Sequence, residues 1–118
     1  MLRSIDPGCG DVKNWMNMFR WIVKLIRDDY DIDEVRLVRG ALLEGELGLS
    51  IEQVEEVIAT IAAAFAIRFP AGTLDEILRL DELCMLASWL KGLYKCPEFI
   101  SESFGASCRA ANAGMVAA

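Results

Sequence analysis

Apolar residues recur along most of the chain at the spacing of one face of an α-helix. From about residue 13 to residue 29 the apolar positions with this spacing are Met16, Phe19, Ile22, Val23 and Ile26, and the stripe is widened by Trp15, Met18, Trp21 and Leu25. A second stripe begins after Ser50 and consists of Ile51, Val54, Ile58, Ile61 and Phe65, with Val57 beside it. Steps of three and four residues lie on one side of a helix with 3.6 residues per turn. The pattern therefore predicts amphipathic helices and almost no strands, because no sustained apolar and polar alternation occurs.

Shorter elements connect and complete these helices. Residues 33–38 are expected to form a short helix, since Asp residues before them favour a turn and a helix start. Thr73 is expected to cap another short helix, and a final core helix is expected to start near Asp81. Pro97 is expected to interrupt that last helix because proline cannot continue it.

The segment of residues 40–49 is predicted to be a long, structured loop. It contains three glycines, which favour turns over helix or strand. A loop of this length would be mobile without anchors. Leu43 and Leu47 are therefore expected to hold it against the bundle by packing into the core.

The helix that starts at Ser50 carries strong local start signals. The Ser50 side chain can accept a bond from the backbone, and Gln53 can return one to the Ser50 N–H, which makes a capping box. Leu49 and Val54 stand where a hydrophobic staple is found. The sequence therefore predicts that Ser50 is the N-cap of this helix.

Length, charge and hydropathy limit the class of protein. A chain of 118 residues with 54% hydrophobic and 25% charged residues suits one globular domain with a modest core. The net charge of −6 argues against a nucleic-acid partner. No transmembrane helix is predicted, since the longest apolar run is far shorter than a span: VIATIAAAFAI. The first residues show no apolar signal-peptide region, which favours a cytoplasmic location.

The chain offers little catalytic or metal-binding chemistry. It has no histidine, and its four cysteines form no Cys-x-x-Cys pair, which removes the usual zinc spacing and Cys–His or Ser–His nucleophiles. No catalytic residue, no metal site and no enzyme activity is therefore predicted. Cys96 and Cys108 are expected to be free thiols, with a disulfide between them as the alternative.

The order of long helix, long loop, acidic helix, short helix and helix resembles an acyl carrier protein. The resemblance runs without a gap from about residue 22 to residue 87. The matching residues are Ile22, Ile26, Ile32, Leu37, Ala41, Leu43, Glu46–Gly48, Phe65, Phe69, Pro70, Ile77 and Leu80. It implies an all-α, acyl-carrier-like bundle of three main helices and one short helix at residues 15–94. Residues 1–14 would be a loose N-terminal segment and residues 95–118 a C-terminal extension with a frayed end.

The attachment motif of that family departs from its pattern here. The family motif is Asp-Ser-Leu, whereas the ungapped match gives Ser50, Ile51 and Glu52. The acceptor serine is thereby replaced by Ile51, which is expected to turn toward the cleft between the helices. The sequence therefore predicts that the protein carries no cofactor and that Ser50 is not modified. The alternative match drops one loop residue before Ser50 and adds one residue within the helix, and it implies 4′-phosphopantetheine on Ser50.

Three functions are compatible with this sequence. The first is a non-catalytic binding module, in which Glu52, Glu55 and Glu56 dock a basic surface of a partner enzyme, as the family does in fatty acid biosynthesis. The second is a working acyl or aminoacyl carrier. The third is a helical scaffold or oligomerisation domain, favoured if aromatic residues outside the matched region are exposed: Trp15, Phe99 and Phe104. The sequence leaves the oligomeric state open.

Overall fold

The computed structural model describes the backbone of residues 7–117 and the side chains of residues 15–113. Over this range the chain is an all-α bundle, which confirms the predicted fold class. Its helices are α1 (Pro7–Tyr30), α2 (Ile51–Phe65), α3 (Thr73–Glu76), α4 (Leu80–Lys91) and α5 (Glu102–Ala117), with a 3₁₀ turn at Glu34–Arg36. Among these described elements no helix is long and apolar enough to cross a membrane.

Helix α1 is longer than predicted. It begins at Pro7, so residues 7–14 of the segment expected to be loose are helical, while residues 1–6 lie outside the described residues. Proline suits the first turn of a helix because the N–H it lacks would have no partner there. The buried residues along α1 are Trp15, Met18, Ile22 and Ile26. Ile22 and Ile26 were predicted at the centre of the stripe, whereas Trp15 and Met18 were expected only at its side.

Helix α4 is the central helix of the bundle and packs along α1. Its buried residues cover most of its circumference: Leu80, Asp81, Leu83, Cys84, Leu86, Ala87, Ser88 and Leu90. A helix that is apolar nearly all round belongs in a core. It ends at Lys91, followed by Gly92 in the left-handed conformation (φ 86°). Gly92 therefore ends the helix, and the predicted role of Pro97 is wrong.

The C-terminal segment is part of the bundle rather than a frayed extension. Helix α5 packs on α4 and buries Phe104, Cys108 and Asn112, which follow one another every four residues. Trp15 is buried as well, and Phe99 packs against the core with partial exposure. The exposed aromatic residues that would favour a scaffold are therefore not present at these three positions.

The two short elements are capped differently from one another. Asp33 accepts a bond from the Val35 N–H and so starts the 3₁₀ turn, within the predicted range. At α3 the cap position belongs to Gly72, whose φ of 92° is costly for any residue with a Cβ. Thr73 is instead the first helical residue, and its hydroxyl donates to the Pro70 carbonyl at 2.7 Å. The prediction of Thr73 as the cap is wrong.

Candidate interaction surface at the start of helix α2

The loop before α2 is anchored in the core as predicted. Leu43 and Leu47 are both buried, and Leu49 is buried beside them. The Leu43 N–H donates to the Leu78 carbonyl at 2.9 Å, and the Leu49 N–H donates to the Leu43 carbonyl at 3.1 Å. These contacts fix the position from which α2 starts.

The Glu46–Gly48 segment, which matches the family's loop, has a clear structural role. The Glu46 carboxylate accepts the Leu42 N–H at 2.8 Å, and the Arg36 guanidinium donates to the Glu46 carbonyl. Gly48 has a φ of 73°, in the left-handed region that favours glycine. The segment is thus a closed turn that delivers the chain to Ser50.

Ser50 is the N-cap of α2, as predicted. Its Oγ accepts the Gln53 N–H at 3.1 Å, and its own N–H donates to Gln53 Oε1 at 3.0 Å. This is the full capping box, which satisfies two backbone donors at the helix start. Leu49 and Val54, the predicted staple, are both buried in the core.

The prediction for Ile51 is wrong, because this side chain is 51% exposed and does not close a cleft. The buried residues of α2 are Val54, Val57 and Ile61. A helix turns by about 100° per residue, so Ile51 lies roughly 120° around the axis from Val57. The buried face is rotated toward Val57, and Ile51, at the first turn, is left in solvent.

The three predicted docking glutamates are all exposed, but they are not equivalent. Glu56 accepts the Tyr30 hydroxyl at 2.9 Å. Burial, followed by this bond to a carboxylate, raises the pKa of Tyr30 to about 12. Glu52 and Glu55 form no ion pair with any described cationic side chain. The carboxylates of Glu52 and Glu55 are therefore available to a partner, whereas that of Glu56 is bonded to Tyr30 at the end of α1.

Glu55 also lines a cleft of mixed polar and apolar character that was not predicted from the sequence. The cleft of about 360 Å³ lies between α2 and the turn before α3, with Asp75 also among its lining residues. Its apolar walls are partly buried and include Ile58, Phe69 and Leu74. A surface that combines carboxylates with a small apolar cleft suits a partner that presents a basic residue beside an apolar one.

The residues at Ser50 do not fit the 4′-phosphopantetheine site of the resembling family. The Ser50 hydroxyl is exposed, but its oxygen is the acceptor that caps the helix. The residue before it is the buried Leu49, where the family has an Asp able to take over the cap. The ungapped acceptor position is Ile51, which has no nucleophile.

The buried cysteines Cys84 and Cys108 add no reactive centre to this surface. Cys84, Cys96 and Cys108 are free, so the alternative of a disulfide between Cys96 and Cys108 is not formed. Burial raises the pKa of Cys108 to about 11 and raises that of Cys84 as well. A thiol is nucleophilic only as the thiolate, so these two are unreactive near neutral pH. The described residues contain no cluster of three or more Cys, Asp or Glu side chains arranged to hold a metal ion.

A scan against protein-family models, a search of curated proteins and a search of solved structures each found no match for this chain. The resemblance to acyl carrier proteins therefore stays a hypothesis that rests on the matched residues and on the order of the helices.

Proposed function

We propose that the chain is an acyl-carrier-like, non-catalytic module that binds a basic surface of a partner enzyme through the start of α2. The observation that supports this proposal is that Glu52 and Glu55, which form no ion pair among the described side chains, lie next to a cleft with apolar walls. Charged groups at the rim of an interface steer association, and an apolar anchor slows dissociation. The surface offers both to a basic partner.

Glu56 has a different role in this proposal. Its carboxylate holds the Tyr30 hydroxyl and so links α2 to the end of α1. Reversing its charge would break that contact and disturb the bundle. Glu52 and Glu55 are therefore the positions at which binding can be tested without breaking a described side-chain hydrogen bond or ion pair.

The double substitution Glu52→Lys and Glu55→Lys is expected to lower the association rate with a basic partner enzyme by about one to two orders of magnitude at low salt. The reason is the loss of electrostatic steering, which salt screens. Rates are measured by stopped flow or surface plasmon resonance against candidate partners, at low and at high salt. The effect of the substitution should shrink as salt rises.

Glu98→Lys is the control, with half the charge change of the double substitution, because Glu98 is exposed, forms no ion pair with a described side chain and lies outside α2. It changes the net charge without touching the proposed surface, so its association rate should stay close to that of the unmodified chain. Circular dichroism should show the same helical content in all variants. Equal rates for the α2 double variant and the control would refute docking through α2.

A working carrier is the second candidate, since Ser50 is exposed at the mouth of the helix. We expect incubation with coenzyme A and a broad phosphopantetheinyl transferase to leave the intact mass unchanged, because the Ser50 oxygen serves as the cap. Ser50→Ala should cost roughly 0.5–2 kcal/mol of folding free energy, whereas Ser50→Asp should cost little since Asp also caps. Mass spectrometry and chemical denaturation measure the two effects.

A stoichiometric gain in mass that disappears in Ser50→Ala would establish the carrier function instead. A positive control comes from the triple substitution Ser50→Asp, Ile51→Ser and Glu52→Leu, which restores the family motif. Ile51 is already exposed, so a serine in its place would present its hydroxyl to solvent. Modification of the triple variant alone would show that the transferase tolerates this surface and that only the motif is missing.

A further inference from the structure

The end of the bundle opposite the acidic face is formed by the C-termini of α2 and α4. Both helices stop with a residue in the left-handed conformation, Ala66 (φ 56°) and Gly92 (φ 86°). The Lys91 ammonium donates to the Phe65 carbonyl at 3.1 Å and so joins the two ends. Helix C-termini carry partial negative charge, so the Lys91 ammonium stabilises the two helix ends that it joins.

Between these ends and α5 lies a cleft of about 320 Å³. Its apolar lining is given by Phe65, Ile67, Trp89 and Leu90. Phe65 and Trp89 are both partly exposed, and the Phe65 ring packs edge-on against Trp21 with the ring centroids 4.8 Å apart. Asn112 lies beside them with its amide fully bonded to the backbone of Arg68 and Cys108, so it adds no unpaired polar atom.

The charge around this cleft is opposite to that of the rest of the protein. One exposed cation, Lys91, lines the cleft, and two more exposed cations adjoin it: Arg68 follows the lining residue Ile67, and Arg109 stands over the Trp89 ring. Within the described part of the chain none of them forms an ion pair with a carboxylate, and the lining contains no Asp or Glu. The clefts at α1, at Tyr30 and at α3 each include at least one carboxylate. The cleft is thus a basic site on a chain of net charge −6.

Stabilisation of helix ends does not explain all three cations. Arg109 lies in the middle of α5, and its guanidinium stands over the Trp89 ring, 5.6 Å from the centroid. There it is held at the edge of an aromatic surface with its N–H groups available to a carboxylate. Aromatic and arginine residues side by side are typical of the centre of protein interfaces.

We propose that this cleft binds an acidic peptide segment of another protein, with one aromatic or aliphatic side chain on Trp89 and Phe65 and flanking carboxylates on Arg68 and Arg109. Charge complementarity selects the acidic segment, and the apolar floor selects a peptide with an anchor residue. A nucleic acid is disfavoured because the remainder of the surface is acidic. The site is at the other end of the molecule from the acidic α2 face and does not depend on the function proposed for that face.

The experiment uses the full chain, labelled with nitrogen-15, and the capped probe peptide Asp-Glu-Phe-Asp-Glu. Addition of the peptide is expected to shift amide signals of residues 65–68, 89–92 and 108–112 while leaving residues 51–56 unchanged. Arg68→Gln combined with Arg109→Gln should weaken binding roughly five- to tenfold, as expected for two exposed charge pairs. Arg20→Gln combined with Lys24→Gln, on the exposed face of α1, is the matched control and should bind as the unmodified chain does.

Two further probes test the stated chemistry. A peptide with Ala in place of Phe should bind more weakly, and a Lys-Lys-Phe-Lys-Lys peptide should not shift the cleft signals at all. Equal binding by the cleft variant and the control, or shifts that lie elsewhere, would overturn the proposal. Signals of the cleft that move with protein concentration alone would assign the site to a second copy of the chain and would also overturn it. If the Lys-Lys-Phe-Lys-Lys peptide shifts the signals of residues 51–56, that result supports the function proposed for α2 and leaves the proposal for this cleft intact.

Discussion

Phe104→Ala is expected to lower the free energy of unfolding by about 3–5 kcal/mol, and deletion of residues 101–118 should lower it further. Phe104 is 6% exposed and belongs to the continuous apolar core rather than to a separate cluster. Loss of the Phe104 ring leaves a cavity between α5 and the rest of the core, which the helices can close only in part. Urea denaturation followed by circular dichroism measures the change, with an unchanged m-value expected for the point variant.

The deletion has a second cost at the turn after α2. The Asn112 amide accepts the Arg68 N–H at 2.8 Å and donates to the Arg68 carbonyl at 2.9 Å, so it pairs with that residue as a neighbouring strand would. Without α5 these backbone groups must find water or stay unpaired, which is costly for groups near a core.

Ser107→Ala is the control on the same helix, since Ser107 is exposed. Its effect should stay within about 0.5 kcal/mol, as for most surface substitutions. If Phe104→Ala and the deletion changed the free energy of unfolding as little as this control, α5 would not be docked on the bundle in solution. The C-terminal segment would then be an extension, as the sequence alone suggested.

The parts of the fold that were predictable from the sequence are those with local signals. The start of α2 was predicted because Ser50, Gln53 and Leu49 interact within one turn, and the structure shows the complete capping box. The loop anchors Leu43 and Leu47 could be identified because a long loop needs apolar contacts to be ordered. Fold class followed from the helical spacing of apolar residues.

Helix α5 lacked such a signal. Its buried residues recur at every fourth position, but one is the polar Asn112 and another the small Cys108. Small residues around them dilute the apolar stripe, so the segment looked like a tail. The partner of Asn112 is the backbone of Arg68, a contact between distant positions that no local pattern contains.

At the candidate site, too, the features set by local sequence were predictable and those set by contacts between helices were not. The acidic face on α2 was predictable from three glutamates on one side of a helix, and all three are exposed. That Glu56 is committed to Tyr30 depends on the packing of α1 against α2, which the sequence does not fix. The error at Ile51 arose from the phase of the buried face, because periodicity gives the width of a stripe more reliably than its centre.

Leu47→Ala is expected to cost about 2–4 kcal/mol of folding free energy, since Leu47 is 4% exposed within the core. The residue holds the loop of residues 40–49 on the bundle, and the turn at Gly48 and the cap at Ser50 follow directly after it. Loss of the anchor should therefore loosen the start of α2 as well as create a cavity. Thermal or urea unfolding gives the energy, and amide hydrogen exchange of residues 43–54 gives the local effect.

Leu42→Ala is the matched control, because Leu42 lies in the same loop and is 41% exposed. The backbone bond from its N–H to Glu46 does not involve its side chain and should survive the substitution. Its cost should stay below about 1 kcal/mol, since little apolar area is returned to water. If Leu47→Ala and Leu42→Ala lowered the free energy of unfolding equally, the loop would not be anchored through Leu47. The start of α2, with Ser50, Glu52 and Glu55, would then not be held in a fixed position by this loop. A large cost for Leu47 alone, with faster exchange reaching residue 54, is the result that the packing of this loop requires.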